Sequence, residues 1–152
     1  MDMLNMAGHL IRRLHQQSTL VFVQRTQAAG FDLTPVQFAA LGAIDSNPAT
    51  DQARVAEMIG YDRATIGGVI DRLEKKGLVK RVVSTTDRRA RELSLTAKGK
   101  KLLAALQPIV QELQSDILSP LNAKDRERFV MLAQQVVLQA NTNSTDSQAT
   151  RS

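Results

Sequence analysis

Two short segments with helical periodicity, joined by only Gly60-Tyr61 and followed at once by two strand-like runs, constrain this chain more than any other feature. Thr50 or Asp51 can cap the first segment, whose buried side is Val55, Ala56 and Ile59, and Gly60 is placed to stop it. Asp62 can cap the second, which carries Ile66, Val69, Ile70 and Leu73 on one face before Gly77. In spacing and pattern this pair is a helix-turn-helix. Leu78 to Val83 and Glu92 to Leu95 then supply β-favouring and apolar positions on either side of Ser84-Thr85-Thr86-Asp87-Arg88-Arg89, so a hairpin is expected. Arg81 beside Val82 blurs a strict period of two.

Charge gathers on the same segment. Arg72 to Lys101 holds eleven of the twenty Lys and Arg residues and three acids, Glu74, Asp87 and Glu92, so it is net +8 in a chain of net +5. The remainder sums to −3, which makes the basicity a local device. Uniform charge would read as a solvated, solubilising surface. Clustering on a hairpin and its flanking helix favours a polyanion partner, and a helix with two arginines at an adjoining hairpin tip suits duplex DNA.

The flanking segments are helical. Leu4 to Ala29 carries an apolar stripe of Leu10, Leu14 and Val21 with Ile11 and Phe22, and Gly30 is placed to stop it. Thr34 can cap a helix with Pro35 in its first turn and Phe38, Leu41 and Ile44 inward, closed by Asn47-Pro48. Thr96 opens a long helix with a wide apolar face from Leu102 to Ile117, in which Pro108 should bend or interrupt the hydrogen bonding. Asn122, with Asp125 three residues on, caps a last helix carrying Phe129, Leu132, Val136 and Val137 inward.

The expected fold class is mainly α: a winged helix-turn-helix over residues 31–101, with a small β-hairpin wing, and a helical dimerisation region built from residues 1–30 and 102–141. Residues 142–152, polar and almost without apolar side chains, are expected to form a disordered tail. Long amphipathic helices from opposite chain ends exceed what the compact middle needs for its core, so pairing with a second copy is expected, against a monomer whose helices fold back.

Other classes are disfavoured. Without cysteine there are no disulfides, thiolate zinc sites or cysteine catalysis, and a reducing compartment fits. No apolar run approaches the ~20 residues of a membrane span, and Met1-Asp2-Met3-Leu4-Asn5 lacks the layout of a signal peptide, so a cytoplasmic protein is expected. HExxH, P-loop, GxGxxG and GxSxG patterns are missing, so no enzyme activity, metal or cofactor is expected. A winged helix can also serve as a protein-protein interaction module without specific DNA readout, and Asp87-Arg88-Arg89 beside the basic patch argues against that alternative.

From Leu4 to about Ala140 the order of parts resembles the MarR-type winged-helix transcriptional regulators. The most specific stretch runs from Tyr61-Asp62-Arg63-Ala64-Thr65-Ile66-Gly67-Gly68 through Asp71-Arg72-Leu73-Glu74-Lys75-Lys76-Gly77 to Leu78-Val79-Lys80-Arg81. It continues with Asp87-Arg88-Arg89, Leu93-Ser94-Leu95-Thr96 and Ala97-Lys98-Gly99. The resemblance implies a homodimer that binds a palindromic operator, usually as a repressor, and releases it when a small molecule, often an aromatic acid or phenolic compound, binds.

A helix starting at Asp62 and lying in the major groove presents its N-terminal residues to base edges. Arg63 is the first choice for a bidentate contact to guanine, the alternative being a solvent-facing first-turn residue, and Thr65 can meet a base edge or phosphate. Gly67-Gly68 is costly in a helix, at ~1 kcal/mol per glycine against alanine, and points to close backbone approach either to DNA or to the preceding helix. Many relatives carry a polar or basic residue where Gly68 stands. Arg72 reaches phosphate or is tied locally to Asp71. The resemblance implies that Arg89, held extended by Asp87, enters the minor groove with Arg88 on phosphate, while Lys75, Lys76, Lys80, Arg91 and Lys98 supply nonspecific attraction.

Both histidines, His9 and His15, lie on the first helix. His9, Arg13 and Gln16, spaced four and three apart, form a cationic and hydrogen-bonding strip. The family's ligand pocket lies between dimer helices and winged-helix core, where such a strip would suit a carboxylate or phenolate with Phe38 as an apolar wall. The other reading places these groups at the dimer interface or in solvent.

Overall fold

Each helix of the winged-helix segment begins and ends on a residue whose chemistry requires it. The computed structural model describes residues 2–88 and 90–149, with side chains as far as residue 142. Met1, Arg89 and residues 150–152 lie outside the described residues. After a 3-10 turn at Met3–Asn5, the helices are α1 (Ala7–Ala28), α2 (Pro35–Ser46), α3 (Gln52–Ile59), α4 (Arg63–Lys75), α5 (Ala97–Ile117) and α6 (Ala123–Ala149). Between α4 and α5 lie strands β1 (Val79–Val83) and β2 (Arg91–Leu95).

Thr34 closes a capping box on α2, its hydroxyl accepting from the Gln37 N–H at 3.2 Å while its own N–H donates to Gln37 Oε1 at 3.2 Å. Asp51, rather than Thr50, caps α3, accepting from the Arg54 N–H at 2.8 Å. Gly60 and Gly77 end α3 and α4 at φ +76° and +72°, a region open to glycine and costly for other residues. Asn122 caps α6 by accepting from the Asp125 N–H at 2.9 Å.

Residues 1–113 and 114–152 form two compact units. The first is built around Leu41, Val55, Ile66, Ile70, Leu73, Leu78 and Leu93, all buried. Each such side chain contributes ~1.5–3 kcal/mol when removed from water. Helix α1 shares this unit with α2 to α4: Phe22 is buried and its ring lies 6.0 Å from that of Phe38. The hairpin pairs Val79 with Leu95, Arg81 with Leu93 and Val83 with Arg91 in antiparallel register. The Leu93 N–H donates to the Thr50 carbonyl at 2.8 Å, adding a bridge outside the hairpin that sequence periodicity gave no sign of. Leu78, Val79, Leu93 and Leu95 are buried, whereas Val82 and Val83 are exposed, so the outer half of the hairpin stands clear of the core.

Pro108 lies inside α5 and interrupts its hydrogen bonding as expected, without ending the helix; the carbonyl that loses its donor belongs to Ala104, an exposed residue. Helix α6 continues to Ala149 through the segment expected to be a disordered tail from residue 142, which contains no Gly or Pro to stop a helix. Among its described side chains none is buried: Leu132, Val136 and Val137, expected inward, are exposed, and Phe129 is half-buried. A single chain leaves that stripe uncovered.

Candidate nucleic-acid interface

Helix α4 divides lengthwise. Ile66, Val69, Ile70 and Leu73 face the core, and the other side carries two rows, Arg63–Gly67–Asp71 and Ala64–Gly68–Arg72, each stepping by four residues, with the outer members exposed and the two glycines half-buried. The second row is smooth until Arg72. That guanidinium is exposed and, among the described residues, pairs with no carboxylate, while Asp71 pairs with Arg81. Of the two readings of Arg72, the structure therefore removes the local tie to Asp71.

At the N-terminus of α4, Asp62 accepts from the Thr65 N–H at 2.7 Å and from the Thr65 hydroxyl at 2.8 Å. The Thr65 N–H, followed by its hydroxyl, holds the Asp62 carboxyl below its usual pKa, against a smaller opposing effect of burial. Thr65 thus spends its proton on the cap, leaving its methyl group and oxygen lone pairs for any base or phosphate. Arg63, at the first helical position, is exposed.

The glycine pair has two different surroundings. A Cβ on Gly67 would lie 3.1 Å from Gln52 Nε2 of α3, so this glycine makes room for the preceding helix. A Cβ on Gly68 would meet nothing within 4 Å. Open space there leaves the α4 backbone accessible to a large ligand.

The wing tip is closed by Ser84, buried at the end of β1, whose Oγ accepts from the Thr86 N–H at 3.2 Å and the Asp87 N–H at 3.3 Å. The Ser84 N–H donates to the Ala90 carbonyl at 2.9 Å. Arg88 is exposed on this turn. Arg89, the expected minor-groove residue, lies outside the described residues.

Two of the lysines assigned to nonspecific attraction bond the fold. Lys76 Nζ donates to the Asp32 carbonyl at 2.6 Å, and Lys98 Nζ to the Lys76 carbonyl at 3.0 Å. Lys75, Lys80 and Arg91 are exposed, as the expected role requires. Arg81 has a use that sequence reasoning missed: its guanidinium lies 2.7 Å from Asp71 Oδ1 and 3.2 Å from Glu74 Oε2. Burial opposes its charge, but the Asp71 hydrogen bond and the Glu74 and Asp71 charges outweigh that and raise its pKa. The signal was available, since two acids three apart on one helix face beside a strand arginine invite pairing.

The proposed ligand strip is only partly assembled. His9 Nδ1 lies 3.2 Å from Arg12 Nη2, so Arg12 rather than Arg13 is its neighbour, while Arg13 and Gln16 are exposed. Phe38 packs on Phe22, thirteen residues beyond His9 in α1 and so ~20 Å away along the helix. Within one chain Phe38 is not the wall of a site at His9. A shallow depression of ≈ 470 Å³ lies nearer to His9, lined by His15, Gln16, Thr19, Leu20 and Val23.

No helix among the described residues is long and apolar enough to cross a membrane. The sequence profile of the MarR family matches residues 31–90. Transcriptional regulator HosA of Escherichia coli O157:H7 is 36% identical over 137 residues, covering 90% of this chain and 98% of the relative. Among solved structures, Bordetella bronchiseptica BpsR, whose DNA binding is regulated by 6-hydroxynicotinic acid, aligns with a TM-score of 0.82 at 28% identity, over 90% of this chain and 96% of its own. The transcriptional repressor CouR, bound to a 23-mer DNA duplex, aligns with a TM-score of 0.75 at 30% identity, over 88% of this chain and 92% of its own. With the capped helix, the two α4 rows and the wing in place, the chain belongs to the MarR family and is a DNA-binding transcriptional regulator of winged-helix fold.

Proposed function

We propose that this regulator is a repressor that binds a palindromic operator as a homodimer and releases it when a small aromatic acid or phenolic compound binds. The observation that carries the DNA half of the proposal is the row of exposed Ala64, half-buried Gly68 and exposed Arg72 beside Arg63, with open space at Gly68 for a groove floor. Arg63 is assigned to a guanine edge, Arg72 and Arg88 to phosphate, and Arg89, steadied by Asp87, to the minor groove. Asp62 and Thr65 fix the end of the helix that enters the major groove.

Support for the homodimer is the uncovered apolar surface of α6, where Val136 is 68% and Leu138 65% exposed. Exposure of that size on one helix is destabilising unless a second surface covers it. Support for the effector is the depression at His15 and Gln16, together with the regulation of BpsR by an aromatic acid. His9, Arg13, Gln16 and Phe38 remain the assigned ligand residues, with Phe38 able to join the others only if the bound pocket extends along α1.

Selection of bound sequences from random duplex DNA tests the whole reading. A palindrome with half-sites about one helical turn apart is expected. Benzoate-like acids, 6-hydroxynicotinic acid among them, are then titrated against the selected duplex, with His9→Ala and Arg13→Ala as controls. Selection of an asymmetric site refutes the dimeric operator, and failure of every acid to release DNA refutes the effector.

A further inference from the structure

Arg81 sits where the wing leaves the protein core. Its cross-strand partner Leu93 is buried and bridged to Thr50, whereas the next pairs outward, Val82 with Glu92 and Val83 with Arg91, carry exposed valines on β1. The side chain of Arg81 is only 19% exposed and reaches back to three groups on the helix-turn-helix. These are Asp71 at 2.7 Å and Glu74 at 3.2 Å on α4, and Gln52 Oε1 at 3.3 Å on α3. Gly67 leaves the room in which the Gln52 amide lies. Two carboxylates around one guanidinium leave this cluster net negative, so it is unsuited to holding a phosphate.

We infer that Arg81 is a positioning residue for DNA reading: held by Asp71, Glu74 and Gln52, it fixes the wing against α4 so that both elements meet DNA at one spacing and angle. This rests on the reading that α4 and the wing contact the same duplex. A small rotation at Arg81 displaces the tip, two residue pairs and a turn further out, by several times as much as the base. The long, bidentate-capable guanidinium suits the task, since a lysine ammonium cannot engage three separated acceptors with fixed geometry.

The test exploits a difference of sign. Asp71→Asn and Glu74→Gln each make the protein more positive, so bulk electrostatics alone strengthens binding to any duplex. Positioning gives the opposite result for the selected operator: the double variant loses about tenfold in affinity, roughly 1.4 kcal/mol. Its affinity for an unrelated duplex holds or rises at the same salt concentration. Arg81→Lys, which keeps the charge, shows the same fall in the ratio of operator to unrelated-duplex affinity, and serves where the double variant does not fold, as judged by its thermal midpoint. An unchanged or improved ratio in folded variants overturns the role of Arg81 while leaving operator binding in place. A wild-type protein that prefers no sequence overturns both.

Discussion

Asp62 accepts two hydrogen bonds from Thr65, one from its N–H at 2.7 Å and one from its hydroxyl at 2.8 Å, and so closes the end of α4 that faces outward. Because these bonds favour the carboxylate, the folded-state pKa of Asp62 lies below its unfolded value. A depressed pKa stabilises the fold above the unfolded value and loses that contribution as pH falls through the folded one. Asp62→Ala is therefore expected to be less stable than the wild type at neutral pH, and the gap should narrow through and below the ordinary carboxylate range. Denaturant melts of both proteins at pH 7 and at successively lower pH values measure it. A gap that widens on acidification contradicts the cap.

Identical substitutions at two glycines should act in opposite directions. At Gly99 an added Cβ would run into the Leu78 carbonyl, where the first turn of α5 crosses the start of β1. Gly99→Ala should cost about 1–3 kcal/mol, because backbone must move to admit it. At Gly68 nothing lies within reach, so Gly68→Ala should gain roughly 0.5–1 kcal/mol of helix stability. The same methyl group stands where DNA is proposed to approach, and operator affinity should fall as stability rises. Thermal melts with operator titrations on both variants check the contrast.

Local chemistry made most of the elements legible in the sequence: Thr34, Asp51, Asp62 and Asn122 start helices, Gly60 and Gly77 stop them, and the apolar faces have the right period. What escaped depends on contacts between distant residues. Arg81 meets Asp71 only because the hairpin returns to α4, and Phe38 meets Phe22 only because α1 packs on α2, which separates it from His9. Lys76 and Lys98 look identical in sequence to solvent-facing lysines until the fold supplies the carbonyls they bond. In the last segment of α6 polarity alone does not end a helix that lacks a breaker.

Basic residues of the patch should separate by salt dependence. Arg72 is exposed without a carboxylate partner among the described residues, so Arg72→Ala should weaken binding to any duplex and lower the slope of log affinity against log salt by about 1. Lys76 is bonded to Asp32, so Lys76→Ala should leave the slope unchanged and cost ~0.5–1.5 kcal/mol of stability. Equal slopes for the two variants contradict this division.

Arg89→Ala should lower operator affinity by roughly 1–3 kcal/mol, the effect of one good groove contact, with fold and oligomeric state retained. Changing the A·T content of the flanking minor groove should matter to the wild type and not to the variant. Fluorescence anisotropy with paired operators that differ only in that flank measures both. Equal discrimination by the two proteins removes Arg89 from the minor groove.

The apolar stripe of α6 distinguishes a monomer from a dimer without any DNA. Val137 is 59% exposed in a single chain, and a charge placed on such a surface ordinarily changes stability by no more than about 0.5 kcal/mol. If α6 is covered by a second copy, the same charge is buried without a partner, at a cost of several kcal/mol to association. Val137→Glu should then keep its helical circular dichroism but sediment as a monomer where the wild type sediments as a dimer. Operator affinity should drop steeply, since each half-site is bound separately. Surface exposure alone would leave the variant and the wild type with the same mass in solution and the same affinity, and that result would rule out α6 as the dimer contact.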